Sequence, residues 1–176
     1  MADPGSPTGV GSPVQVIVED HQDDVEIDAH RWAELARSVM CSEGAHGELT
    51  LTFVTVEEIS ELNRDHMGID GPTDVLSFPL DAVEESGTGE RHVAGMPILL
   101  GDVVVCPSVA ATAAPTHAGS VDDELALLVV HGCLHVLGYD HAEAPETRVM
   151  RTREVELLVA HHWGGPPPAD FRQEQT

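Results

Sequence analysis

Three histidines carry the chemistry this sequence offers. His131 and His135 stand four apart in the stretch His131-Gly-Cys-Leu-His135-Val-Leu-Gly138-Tyr-Asp-His141. That spacing puts both on one face of a helix, about one turn apart. Gly138 falls where such a helix would stop, because glycine alone takes the left-handed C′ conformation without penalty. The chain can then fold back and return His141 to the same point. Three converging imidazoles are the donor set of a catalytic transition-metal site with a coordination position left open. Zinc is the expected ion, one per chain; nickel, copper and iron also accept imidazole. The chain holds eleven histidines, so an i, i+4 pair alone would mean little, but these three share a glycine-broken apolar helix. Burying them without partners would cost roughly 1–3 kcal/mol each, a cost that coordination removes.

The spacing H-x3-H-x5-H, with glycine between the second and third histidine, is that of the metzincin protease motif H-E-x-x-H-x-x-G-x-x-H. Here Gly132 stands at the glutamate position. That glutamate is the general base of the proteases, and its loss removes a contribution of about 10²–10⁴-fold. Cys133, two residues from His131, points to another face and reads as core rather than ligand. Asp140 adjoins His141 and either orients a ligand imidazole or holds an attacking water; as an ordinary turn aspartate it would do neither.

The stretch from His131 to His141 resembles the signature of the YbeY family of bacterial metal-dependent endoribonucleases. Two further segments agree. Leu62-Asn63 followed by Gly71-Pro72-Thr73-Asp74-Val75-Leu76-Ser77-Phe78-Pro79 is similar to that family's L-N…P-T-D-V-L-S-F-P, and Leu100-Gly101-Asp102-Val103-Val104-Val105 resembles its L-G-D-I-x-I strand. The three motifs lie in order over residues 62–141. The resemblance implies metal-dependent cleavage of single-stranded RNA, maturation of the 3′ end of 16S ribosomal RNA and a part in ribosome quality control. It implies His131, His135 and His141 as ligands and catalytic centre, with Asp140 beside them, and it places the strand bearing Thr73, Asp74 and Ser77 next to the cleft. The family commonly has an arginine a few residues after Leu-Asn, whose planar fork suits phosphate. Met67 holds that position here, and Arg64, one turn earlier, is the candidate substitute. Thr73 and Ser77 complete the expected substrate contacts.

Composition bounds the reading. A chain of 176 residues with 41% apolar content is one domain with one sizeable core. No run approaches the ~18 apolar residues of a membrane span. The first residues lack the basic and apolar regions of a secretory signal, and three cysteines without C-x-x-C spacing suit a reduced compartment, so a cytoplasmic protein is expected. Eight arginines and no lysine against thirty-one acids give −23. Phosphate contacts dominate nucleic-acid affinity, so the balance points to a local basic cleft, or to RNA presented on the ribosome with a ribosomal or assembly-factor partner. Two rival readings remain: a metalloprotease-like hydrolase with an unconventional base, and a non-catalytic ribosome-assembly factor with a structural zinc.

The elements that must position these residues follow from local pattern. Residues 14–18 alternate as a strand. Residues 28–40 carry Trp32, Leu35, Ala36 and Val39 at helical spacing behind Asp28 as N-cap. Residues 48–54 alternate as a half-buried strand, and Thr55-Val-Glu-Glu58 is a capping box opening a helix to Leu62. Residues 73–78 and 99–105 read as strands around a polar loop at 81–95. A short helix spans 107–116. Ser120 caps a helix to about Leu137 that is apolar all round and therefore buried. Pro145 opens a last helix ending near His162. The expectation is an α+β fold, a small mixed sheet of about four strands with about five helices, zincin-like, with the metal on a buried helix. Residues 1–13 are expected to be a disordered arm, 14–163 the domain and 164–176 a flexible tail.

Overall fold

The computed structural model describes residues 13–80 and 97–173; the N-terminal arm up to residue 12 and the loop at 81–95 lie outside them. Local rules set most element boundaries. Strand β1 spans Gln15–Asp20. Asp28 accepts from the Arg31 amide and opens α1, Ala29–Ser42. Strand β2 is Glu48–Phe53. The Thr55–Glu58 capping box forms reciprocally and starts α2, Val56–Leu62. A wider π turn, Asn63–Met67, continues α2 beyond the expected end. Buried Asn63 anchors that extension by donating from Nδ2 to the Gly71 carbonyl at 3.0 Å.

Strand β3 is Val75–Pro79 and β4 is Leu99–Val105. β3 begins two residues later than its β-branched pattern suggests. Pro72 has no N–H to give, and the Asp74 carboxylate accepts the Val75 amide at 2.8 Å, so pairing begins only at Val75↔Val105. Helix α3, Pro107–Ala113, runs into a 3₁₀ turn at Ala114–Thr116. Helix α4 is Val121–Val136, capped by Ser120. Helix α5, Ala144–Leu158, ends in a π turn at Val159–Trp163.

The sheet has the order β1-β2-β4-β3, with β1, β2 and β4 parallel and β3 antiparallel at the edge. Period-2 alternation gives it two unequal faces. Leu49, Leu51, Phe53, Val103 and Val105 form one face, packed with Trp32, Val39 and Met40 of α1 and with the apolar length of α4. Leu76 and Val104 on the other face join Ile59 and Leu62 of α2 in a smaller cluster. The described residues after Gly164, up to 173, lie against the body: Phe171 meets the Trp163 ring edge-on at 4.8 Å, and the Arg172 amide donates to the His117 carbonyl at 2.8 Å. This is the α+β fold with a four-stranded mixed sheet and five α-helices that the pattern predicts.

Candidate metal centre

Helix α4 is sandwiched between the sheet, α1 and α5, which is why it is apolar on every side. Its approach to the sheet depends on Gly132. A Cβ there would lie 2.5 Å from Val103 Cγ1 and 3.3 Å from Ser77 Oγ. Ser77 Oγ donates to the Gly132 carbonyl at 3.1 Å and ties β3 to the helix. The position that carries glutamate in the protease motif therefore points into the sheet and has no room for a side chain.

Helix α4 ends in a Schellman turn. Gly138 has φ +96°, its amide donates to His135 O at 3.0 Å, and the Tyr139 amide donates to Leu134 O at 3.0 Å. The reversal brings His141 back over the last helical turn. The ring centroids of His131 and His135 are 4.5 Å apart, those of His135 and His141 4.9 Å, and those of His131 and His141 5.6 Å. One ligand nitrogen from each lies within 4.8 Å of the other two.

The hydrogen bonds fix which nitrogens face inward. His135 Nδ1 is 2.8 Å from the Tyr139 carbonyl. A carbonyl only accepts, so Nδ1 carries the proton and Nε2 presents its lone pair. His131 Nδ1 is 2.6 Å from Glu154 Oε1. Glu154 is 4% exposed, and its other oxygen accepts from Gln173 Nε2 at 2.6 Å. Imidazoles braced at one nitrogen by a carboxylate or carbonyl are the arrangement of metal-ligating histidines. Burial holds His135 below the usual imidazole range, and neighbouring His131 and His141 push the same way. The neutral, ligating form is thereby favoured. The donor set fits a transition metal.

Beside His131 and His141 opens a cleft of about 290 Å³, walled by Thr73, Asp74, Val75, Thr147, Met150 and Arg151 among others. A second cavity of about 460 Å³ shares Asp74, His117 and Gln173 with it and reaches Thr116 and Arg172. His131, His141 and Thr73 line this cleft, and His135 joins the two histidines in the cluster without lining it. Thr73 and Asp74 line the wall from the segment leading into β3, while Ser77 supports α4 instead. Asp140 is exposed and its Oδ1 accepts the His141 amide at 2.7 Å. Arg64 is exposed, 3.4 Å from Asp65, and is not among the residues around the cleft. Cys133 is fully buried, its thiol pushed up to about 12 by burial.

Several residues of the site escape sequence reasoning. Glu154 sits between Met150 and Leu157 on the buried stripe of α5; a glutamate at i+4 within an apolar stripe is the signal that could have found it. The Tyr139 carbonyl, Gln173 and Arg151 leave no such trace. Nor does the pair in which His117 Nδ1 lies 2.8 Å from both oxygens of fully buried Glu124.

Fold and cluster together define an α+β protein with a three-histidine centre of the kind that holds a transition metal. The family model described as Endoribonuclease YbeY matches residues 17–162. A relative of that name from Salinispora tropica is 44% identical over 80% of this chain and 92% of its own length. Another, from Halalkalibacterium halodurans, is 47% identical over 73% of this chain and 80% of its own. A Thermotoga maritima protein solved in solution matches in structure with TM-score 0.52 at 23% identity, covering 88% of this chain and 97% of the other; it shows the fold. The chain belongs to the YbeY endoribonuclease family.

Proposed function

We propose that this chain is a zinc-dependent endoribonuclease that cuts single-stranded RNA, in the maturation of the 3′ end of 16S ribosomal RNA and in ribosome quality control. One observation carries it beyond family membership: three imidazole nitrogens converge within 4.8 Å, and two of the three histidines line a cleft. The domain is taken as 14–163, working in the cytoplasm on RNA presented by the ribosome or an assembly partner. Among the described residues no helix is long and apolar enough to cross a membrane.

His131, His135 and His141 would hold the ion. Zinc bound there would supply Lewis-acid polarisation of a phosphoryl oxygen and lower the pKa of water towards ~7. The chain's own residues supply the rest. Glu154 and the Tyr139 carbonyl fix the two helical rings, and Asp140 steadies the backbone of His141. Thr73 Oγ1 stands at the cleft wall and donates to Asp74 Oδ1 at 3.4 Å; turned from that weak bond, its hydroxyl would donate to a bound phosphodiester. The nucleophile is water or the 2′-hydroxyl of the substrate itself; a terminal 2′,3′-cyclic phosphate on the product identifies the second. The protease reading loses its base, because Gly132 faces Val103 rather than the cleft.

The test is metal content by native mass spectrometry, with cleavage of single-stranded RNA measured with and without chelator. Near-stoichiometric zinc and cutting that chelator abolishes are expected. Cutting that persists after complete metal removal, or no metal at the site, overturns the proposal.

A further inference from the structure

Resting on that reading, the inference concerns how so acidic a chain holds a phosphate backbone. The net charge is −23 and there is no lysine. Arginines must therefore do all the fixed cationic work, and four of the seven described ones pair with acids. Arg31 pairs with Asp122, Arg37 with Glu34, Arg64 with Asp65, and Arg153 with Glu43 and Glu156. Of the described arginines only Arg151 borders the cleft beside the histidines, and only Arg172 borders the adjoining cavity. The two cavities meet at Asp74, His117 and Gln173.

We infer that Arg151 and Arg172 form the phosphate track of this chain, leading a single RNA strand from the three histidines through the cleft into the second cavity. Arg151 serves the phosphate next to the scissile bond. Arg172, whose Nη1 donates to the Ala169 and Phe171 carbonyls, turns its remaining N–H groups to a phosphate further along. Gln173 couples the two, following Arg172 in the chain and donating from Nε2 to the Arg151 carbonyl at 3.1 Å. The acids lining the two cavities are hydrogen-bonded within the chain: Asp74 Oδ1 accepts from the Val75 amide, Glu124 of the second cavity accepts from His117 and the Ala118 amide, and Glu154 of the first is held by His131 and Gln173. Guanidinium groups suit this task because their planar fork matches phosphate oxygens in two directions.

The experiment measures kcat and KM for single-stranded RNA over a salt series, on the full-length zinc-loaded chain and its variants. Each lost phosphate contact lowers the slope of log(kcat/KM) against log[salt] by about 0.7 for a single strand. Arg151→Ala and Arg151→Gln should raise KM about tenfold, leave kcat within about twofold, and flatten the slope by one contact. Arg151→Lys should restore the slope. Arg172→Ala should flatten it on long RNA, and that effect should vanish first as the RNA is shortened. Arg148→Ala, on the exposed side of α5, removes the same charge outside the cleft and should leave the slope unchanged. Equal slopes in wild type and the Arg151 variants overturn the track, as does an equal loss in Arg148→Ala, which would make the effect one of net charge. If the wild-type chain makes no chelator-sensitive cut, the functional reading itself falls, and the track with it. Cutting by wild type with unchanged arginine variants removes the track alone.

Discussion

At the scale of the residue, the candidate centre is held less by the three histidines than by what touches their far nitrogens. Glu154 reaches His131 Nδ1 from α5, twenty-three residues along the chain, at 2.6 Å. Removing its charge while keeping its shape loosens the ring and lowers its basicity. Glu154→Gln should therefore weaken metal binding about 10–100-fold, read by competition with a chromophoric chelator, with the fold retained by circular dichroism. Unchanged affinity would mean that His131 is oriented by packing alone. Gly132 is the opposite case, where absence of a side chain matters. A Cβ there would sit 2.5 Å from Val103 Cγ1, a short β-branched atom with nowhere to swing. Gly132→Ala should cost about 1–3 kcal/mol by overpacking, seen as a lower urea midpoint at constant m-value. Gly132→Glu should disrupt folding rather than create a peptidase, since the new carboxylate would face the sheet.

At the scale of the element, α4 has its first turn bound to the end of α5 through one carboxylate. Asp123 Oδ1 accepts from His162 Nε2 and from Trp163 Nε1, both at 2.7 Å, while Oδ2 accepts from Ser120 Oγ at 2.8 Å. Burial pushes its pKa up, but the Trp163, His162 and Ser120 donors outweigh burial and hold it below the usual carboxylate range. A carboxylate whose folded pKa is depressed stabilises the fold above its unfolded pKa and loses that contribution as pH falls through the folded one. Asp123→Asn should therefore cost about 1–3 kcal/mol at neutral pH by leaving donors poorly matched, and the gap should close as the solution is acidified below about pH 4. Parallel acid-unfolding curves that never converge would contradict this. What was legible in the sequence has the same local character. Asp28, Thr55-Glu58 and Ser120 each cap a helix within three residues, and Gly138 ends α4 within its own turn, so short-range rules suffice. The place of β3 beyond β4 was not legible, because strand order is set by packing between distant segments. The same holds for Glu154 and for Arg151, which reach the centre only once α5 is laid against α4. The Tyr139 carbonyl left no mark because any residue has one.

At the scale of the whole molecule, charge and metal act on stability through different routes, and salt separates them. The −23 charge makes the chain repel itself. The ion pairs that oppose this are few and mostly at the surface, where each contributes at most about 1 kcal/mol. Raising ionic strength from about 0.01 M to about 0.15 M shortens the screening length from roughly 30 Å to roughly 8 Å, which weakens repulsion across the surface more than it weakens contacts within a pair. The melting temperature should therefore rise with salt, by about 2–4 °C for each kcal/mol gained in a domain of this size. Zinc should add a separate increment, since a ligand at 100 times its Kd stabilises by about 2.7 kcal/mol. That increment should shrink as salt rises, because the −23 charge that makes the chain repel itself also attracts the divalent ion, and salt screens that attraction. RNA cleavage should move the other way, falling as salt competes for the phosphates. Melting curves over a salt series, with zinc and with chelator, decide the matter. A chelator curve that rises with salt and a zinc curve that draws closer to it are the expected result. A melting temperature that falls with salt would show that the arginine pairs outweigh the acidic surface, and a zinc increment that stays constant with salt would show that the ion does not sense the surface charge.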